Sequence, residues 1–136
     1  MLATLFTTSV SAIKRTRADE YWLVTRGGGD IAGTVRVKDL APSPELFQRY
    51  ASNWKGRPPA EWWTQYETLF RVEMQGEPAL AALRRLYRTL NSGRTVALTC
   101  YCSDPDHCHR RLLGEFMCVH GVSVVETCRA TSLRLL

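Results

Sequence analysis

No segment of the 136-residue chain approaches the roughly 18 apolar residues that a membrane-spanning helix needs. The mean hydropathy of -0.20 agrees, so a membrane-spanning protein is not expected. Lysine is scarce, at Lys14, Lys38 and Lys55 only, and most of the 18 basic residues are therefore arginine. Arginine suits planar, bidentate grip on phosphate or carboxylate, and a net charge of +5 leaves an anionic ligand or nucleic acid open as partner. There is no Cys-x-x-Cys pair, no Gly-x-Gly-x-x-Gly or Gly-Lys-Ser/Thr loop, no internal repeat and no low-complexity linker. These absences remove the common dithiol and nucleotide-loop signatures, and the length fits one domain over residues 1–136. A secretory signal would need its positive residues before the apolar run, whereas Lys14, Arg15 and Arg17 follow it.

Cysteine is present in an odd number, five, with Cys100, Cys102 and Cys108 crowded into nine residues and Cys118 and Cys128 following. That is a pattern of reduced thiols rather than of a disulfide framework, and the expected compartment is cytoplasmic.

Strand and helix patterns alternate along the chain. Leu2–Val10 and Tyr21–Thr25 are rich in strand formers, the second running through Arg26 into the turn Gly27-Gly28-Gly29. Ser43 with Pro44 opens a helix through Ser52, and Trp62, Trp63, Tyr66, Leu69 and Phe70 make an apolar stripe on a helix from Ala60 to Met74. In the next helix Leu80, Leu83, Tyr87 and Leu90 form the inward face, with Arg84, Arg85 and Arg88 opposite and Gly93 as the stop. Val96–Tyr101 reads as a buried strand, His107–Val119 as a helix carrying Leu112, Leu113, Phe116 and Met117 inward, and Val122–Glu126 as a last strand. The alternation predicts a three-layer α/β domain with a short, mostly parallel sheet and ligands at the carboxyl ends of its strands. The tail from Thr127, with Leu133, Leu135 and Leu136, is apolar enough to pack on a neighbour or on its own sheet.

The densest chemistry lies in Cys100-Tyr101-Cys102-Ser103-Asp104-Pro105-Asp106-His107-Cys108-His109-Arg110-Arg111, where a buried strand feeds a helix N-terminus. Three chemistries use these atoms differently. A thiolate at Cys108 in the first helical turn would be stabilised by the helix dipole and by His109, Arg110 and Arg111. Zinc would take Cys100, Cys102, Cys108 and one of His107 or His109. Alternatively, the amides of residues 107–109, with Arg110 or Arg111 and Arg26 from another strand end, would grip a phosphate or carboxylate. Against all three stands a plain structural role, with Cys100 a small core residue, Asp104 or Asp106 a cap and His109 packed on the sheet.

The stretch Val96–Phe116, with Cys100, Asp104-Pro105, Cys108-His109-Arg110 and Leu112, resembles the signature of the bacterial and archaeal domain of unknown function 488 family, in its cysteine-bearing branch. Lys38-Asp39-Leu40-Ala41-Pro42-Ser43 with Glu45-Leu46 is similar to a second motif of that family. The resemblance implies a single α/β, Rossmann-like domain of the cytoplasm and no established activity. Where the family often has an acid two residues after the strand cysteine, this chain has Cys102.

We therefore expect a ligand site of Arg26, Cys100, Cys102, Cys108, His109, Arg110 and Arg111 that holds a phosphate- or nucleotide-like anion. Its enzymatic version uses Cys108 or Cys102 as thiolate, His109 as proton carrier and Arg110 as charge stabiliser. Two alternatives stand beside it. One is a nucleic-acid or partner-binding module, suggested by the pI of about 9.2, the arginines of the third helix and an exposed Trp54. The other is a structural zinc protein built on Cys100, Cys102, Cys108 and His109.

Overall fold

The computed structural model describes residues 1–129; the leucine-rich tail lies outside the described residues. Five strands, Leu5–Ser9 (β1), Glu20–Leu23 (β2), Val35–Arg36 (β3), Val96–Cys100 (β4) and Val124–Glu126 (β5), form one sheet in the order β3-β2-β4-β1-β5. Every pairing is parallel. The helices are Pro44–Arg49 (α1), Trp63–Met74 (α2), Glu77–Asn91 (α3) and His109–Val119 (α4). This is an α/β fold with a parallel sheet flanked by helices, and among the described residues no helix is long and apolar enough to cross a membrane.

Register decides which side chains meet which layer. Thr7 and Trp22 both stand level with Leu98, and residues level in a parallel sheet share a face. Over that face α3 brings the Arg85 guanidinium to 4.7 Å from the Trp22 ring, and α4 brings Gly114 against Thr7 and Val124. A Cβ at Gly114 would stand 3.0 Å from Val124 Cγ1, so the glycine lets α4 lie close on β1 and β5. Helix α2 packs on both α3 and α4, and Phe70, Leu86, Leu90, Leu112, Leu113 and Met117 fill the space beneath with almost no exposure. The opposite face carries a 3-10 turn, Val10–Arg15, whose Ala12 is buried. There Thr8 bonds Thr16 (3.2 Å) and Thr127 (2.6 Å), hydroxyl to hydroxyl.

Several sequence expectations shift. The helix expected through Ser52 ends at Arg49 and continues as a π-helical turn, Tyr50–Trp54. That turn rotates Trp54 inward, where it is 8% exposed and stacks on Trp62 at 6.0 Å; it is not the exposed aromatic of a nucleic-acid surface. Pro59–Glu61 is a 3-10 turn, and α2 begins only at Trp63. On α3 the buried arc is Ala79, Ala82, Leu83, Leu86 and Leu90, while Tyr87, expected inside, is 37% exposed. The two-residue β3 carries no strand signal of its own in the sequence. Ser43 caps α1 by accepting from the Leu46 N–H (3.1 Å), and its own N–H and hydroxyl go to Glu73 of α2 at 2.8 and 2.5 Å, which ties the two helices together.

Candidate functional site

Strand β4 is five buried residues ending on Cys100, and a tight connection leads from it into α4. Asp104 starts a 3-10 turn, Pro105–His107, by accepting from the Asp106 N–H (3.0 Å), and its other oxygen lies 2.7 Å from His107 Nδ1. Cys108 then returns to extended backbone and serves as the N-cap of α4. It stands one residue before the helix rather than in the first turn, where the sequence pattern placed it. The result brings Cys100 Sγ and Cys108 Sγ to 2.9 Å, at 1% and 4% residue exposure. Cys102, at the surface side of the same loop, stays half-buried.

Two charged neighbours define the cluster. Arg110 is fully buried; its Nη1 donates to Cys100 Sγ at 3.0 Å and to the Cys102 carbonyl at 2.6 Å. Its Nε and Nη2 bind both oxygens of Glu126, at 2.8 and 3.2 Å. Glu126, the last residue of β5, also accepts from the Thr7 hydroxyl (2.8 Å) and the Cys128 N–H (3.0 Å). Burial opposes its charge, but these donors outweigh burial and hold its pKa below the usual carboxyl value. His109 Nε2 lies 2.7 Å from the Val24 carbonyl. A carbonyl only accepts, so Nε2 carries the proton and Nδ1 faces Cys108 Sγ at 3.8 Å.

The three thiols differ in acidity. Cys100 is pulled down to about 6, first by the Cys108 S–H, against burial, and then by His109 and Arg110. Cys102 is also lowered to about 6, again led by Cys108 against burial, with the Asp104 backbone and Arg110 assisting. Burial pushes Cys108 well up; its sulfur meets that of Cys100 at 2.9 Å, while the Cys102 thiol lies 3.5 Å from the Asp104 carbonyl. Because neighbouring thiolates repel, the first proton lost near 6 belongs to the group rather than to a single sulfur. The sequence pattern favours Cys108 for the thiolate; its burial disfavours the charge there, and Arg110 beside Cys100 favours it on the neighbouring thiols. Above them lies an aromatic wall. Phe70 packs edge-on to His109 at 5.5 Å, and the buried Tyr66 hydroxyl is raised chiefly by burial and further by negative charge on the neighbouring thiols.

The remaining residues expected in the site go elsewhere. Arg26 is exposed and donates to the Pro42 and Lys38 carbonyls at 3.1 and 3.5 Å. Arg111 turns outward to Glu115 (2.9 Å) and the Asp106 carbonyl (2.8 Å), and His107 packs against Trp63 at 5.4 Å. Of the four expected zinc ligands, Cys100, Cys108 and His109 bring their donor atoms within 4.8 Å of one another; Cys102 is outside that group. Sequence reasoning missed Glu126 and the Val24 carbonyl; an acid ending an otherwise apolar strand was the one available signal. A cleft of about 430 Å³ adjoins the Arg110 and Glu126 pair and is lined also by Thr7, Arg111, Val124 and Arg129.

The glycine turn borders the cluster through Tyr101, whose hydroxyl donates to the Gly29 carbonyl at 2.8 Å. Arg36 braces the turn, donating to the Gly27, Gly28 and Gly29 carbonyls at 2.7, 3.1 and 2.9 Å. Gly28 has φ +89°, and a Cβ there would fall 2.6 Å from the Tyr101 ring. Gly28→Ala is expected to lower stability by about 1–3 kcal/mol through both strain and clash; the urea midpoint would fall with the slope unchanged.

No curated protein and no solved structure matches the chain. The family model described as the active DUF488-N3 subclade, DUF488-N3a, matches residues 10–121, a span that takes in the glycine turn, the Lys38 to Ser43 motif and the whole cysteine loop. The chain belongs to the domain of unknown function 488 family.

Proposed function

We propose that the protein is a thiol-dependent enzyme in which Cys102 is the nucleophile, acting in group transfer or hydrolysis on a phosphate- or nucleotide-like substrate. The observation that carries this reading is that, of the three thiols in the loop, Cys102 alone is part-exposed, with its carbonyl held by the buried Arg110 at 2.6 Å. An enzyme nucleophile needs reach as well as acidity. Arg110 fixes where the sulfur sits, and His109 Nδ1 faces Cys108, where it can accept or return a proton.

Iodoacetamide labelling against pH tests this. The expected result is modification of Cys102 first, with a midpoint near 6, and a midpoint moved toward the ordinary thiol value in Cys108→Ala. A wild-type midpoint at the ordinary value of 9.0 rejects the reading. Hydrolysis of activated phosphate esters is expected to disappear in Cys102→Ser.

A second reading rests on the three donor atoms within 4.8 Å, which suit a soft divalent ion such as zinc, with His109 oriented by its bond to Val24. Arg110 counts against it, because a guanidinium already supplies positive charge 3.0 Å from Cys100 Sγ. One equivalent of zinc in untagged protein, with the thiols shielded until chelation, would select the metal centre.

A further inference from the structure

Three donor atoms lie sealed inside the loop, apart from the Cys102 thiol. Cys100 Sγ, Cys108 Sγ and His109 Nδ1 all stand within 4.8 Å of one another, on residues that are 1%, 4% and 8% exposed. We propose that this trio is a closed, three-coordinate site for a soft monovalent ion, copper(I), rather than for zinc, and that Cys102 keeps its place at the surface side of the loop while the ion is held. The proposal narrows the ion of the metal reading above, and it does not need Cys102 to be a nucleophile.

The donor set is prepared for a metal by geometry. His109 gives its Nε2 proton to the Val24 carbonyl at 2.7 Å, so the Nδ1 lone pair faces Cys108 Sγ at 3.8 Å and the ring cannot turn without breaking that bond. The two sulfurs already stand 2.9 Å apart. The donor atoms span no more than 4.8 Å, about twice a metal bond of roughly 2.0–2.3 Å to imidazole nitrogen or thiolate sulfur, so one ion reaches all three with little movement of the chain. The backbone that carries them is fixed at both ends: Cys100 ends the buried β4, Cys108 is the N-cap of α4, and His109 is its first residue.

The choice of ion follows from the fourth position. Zinc in a protein takes four ligands, or three and a water. Cys102 is outside the donor group, with its thiol 3.5 Å from the Asp104 carbonyl and its own carbonyl taken by Arg110 at 2.6 Å. Phe70 packs edge-on against His109, and the low exposure of all three ligands keeps water from serving instead. Two thiolates and an imidazole suit copper(I), which is satisfied by three soft ligands. Charge points the same way. Arg110 lies 3.0 Å from Cys100 Sγ, so it and one positive ion offset the two thiolates, while Glu126 draws also on the Thr7 hydroxyl and the Cys128 N–H. The second charge of zinc is the one that Arg110 opposes. Binding displaces a proton from each thiol and none from His109, and no electron moves.

The test adds copper(I), without oxygen, to reduced, untagged protein in the presence of the copper(I) chelator bicinchoninate. One ion per chain is expected to be retained, with two sulfur neighbours and one nitrogen neighbour by X-ray absorption and a urea midpoint raised by binding. Cys100→Ser and Cys108→Ser are each expected to weaken retention by about tenfold or more, and Cys102→Ser to leave it unchanged. Because the first two also touch the core, the absorption spectrum of the wild type decides by itself. A shell of sulfur alone, or retention that survives both Cys100→Ser and Cys108→Ser, puts the ion on outer thiols and overturns the site. Zinc held with four ligands where copper(I) is not retained overturns the choice of ion. No retained ion, with Cys102 still the first thiol to react with iodoacetamide, removes the site and leaves the nucleophile reading standing; a retained ion with Cys102 unreactive does the reverse.

Discussion

Arg110→Met is expected to destabilise the protein by about 3–5 kcal/mol at neutral pH, because it leaves buried charge on Glu126 and Cys100 without the guanidinium that compensates it. The side chains of Arg110 and Glu126 are 0% and 8% exposed, so solvent cannot take over that role. Arg110→Lys keeps a positive charge but loses the two-pronged contact to Glu126 and cannot also reach Cys100 and the Cys102 carbonyl, so part of the loss remains. Replacing Arg110 by Met and Glu126 by Leu together should recover much of the loss, since the pair then disappears without stranding a partner. Urea unfolding of the three variants reads this out. A single-variant loss below about 1 kcal/mol, the scale of an exposed ion pair, would mean that the buried pair does not hold the strand ends together.

Stability should also rise steeply with pH across the thiol range. A thiol of ordinary value 9.0 is lowered to about 6 in the folded cluster, so between those values the unfolded chain binds the extra proton. The contribution is fully present above 9.0, and it is lost as pH falls through 6. Counted once for the cluster, the fall from 9.0 to about 6 amounts to roughly 4 kcal/mol. Urea midpoints at the two ends of this window measure it, and Cys100→Ser should flatten the profile. A flat wild-type profile would contradict a folded-state thiolate. Glu126 adds a separate acid branch: its lowered pKa contributes stability present above the usual carboxyl value of 4.5 and lost as pH falls below it.

Much of the fold was legible because its signals are local. The buried run of β4 and the Leu112, Leu113 and Met117 spacing of α4 need only period and polarity to be read. On α3 the same method erred by a fraction of a turn. Leu86 and Tyr87 are adjacent and both apolar, and only the sheet beneath chooses Leu86. Trp54 was misread because the π-helical turn adds a backbone rotation that a 3.6-residue pattern does not contain. In the site, residue types and loop position were readable, but the charge was not. Whether Cys100, Cys102 or Cys108 ionises depends on which sulfur is sealed from water and which lies against Arg110. Glu126, sixteen residues from Arg110 on a different element, becomes its partner only when β5 docks beside β1.

The strand order carries a consequence for synthesis on the ribosome. β4 lies between β1 and β2, so the first 95 residues contain no strand neighbours except the two-residue pairing of β2 with β3. Until Val96–Cys100 emerges, β1 and β2 have no common partner, and most sheet hydrogen bonds wait for a strand made late. The segment that knits the sheet is also the one that ends on Cys100. The clustered thiols are thus made only with the strand that joins the sheet and after it, and a chain interrupted before residue 96 would carry neither a continuous sheet nor any of its five cysteines.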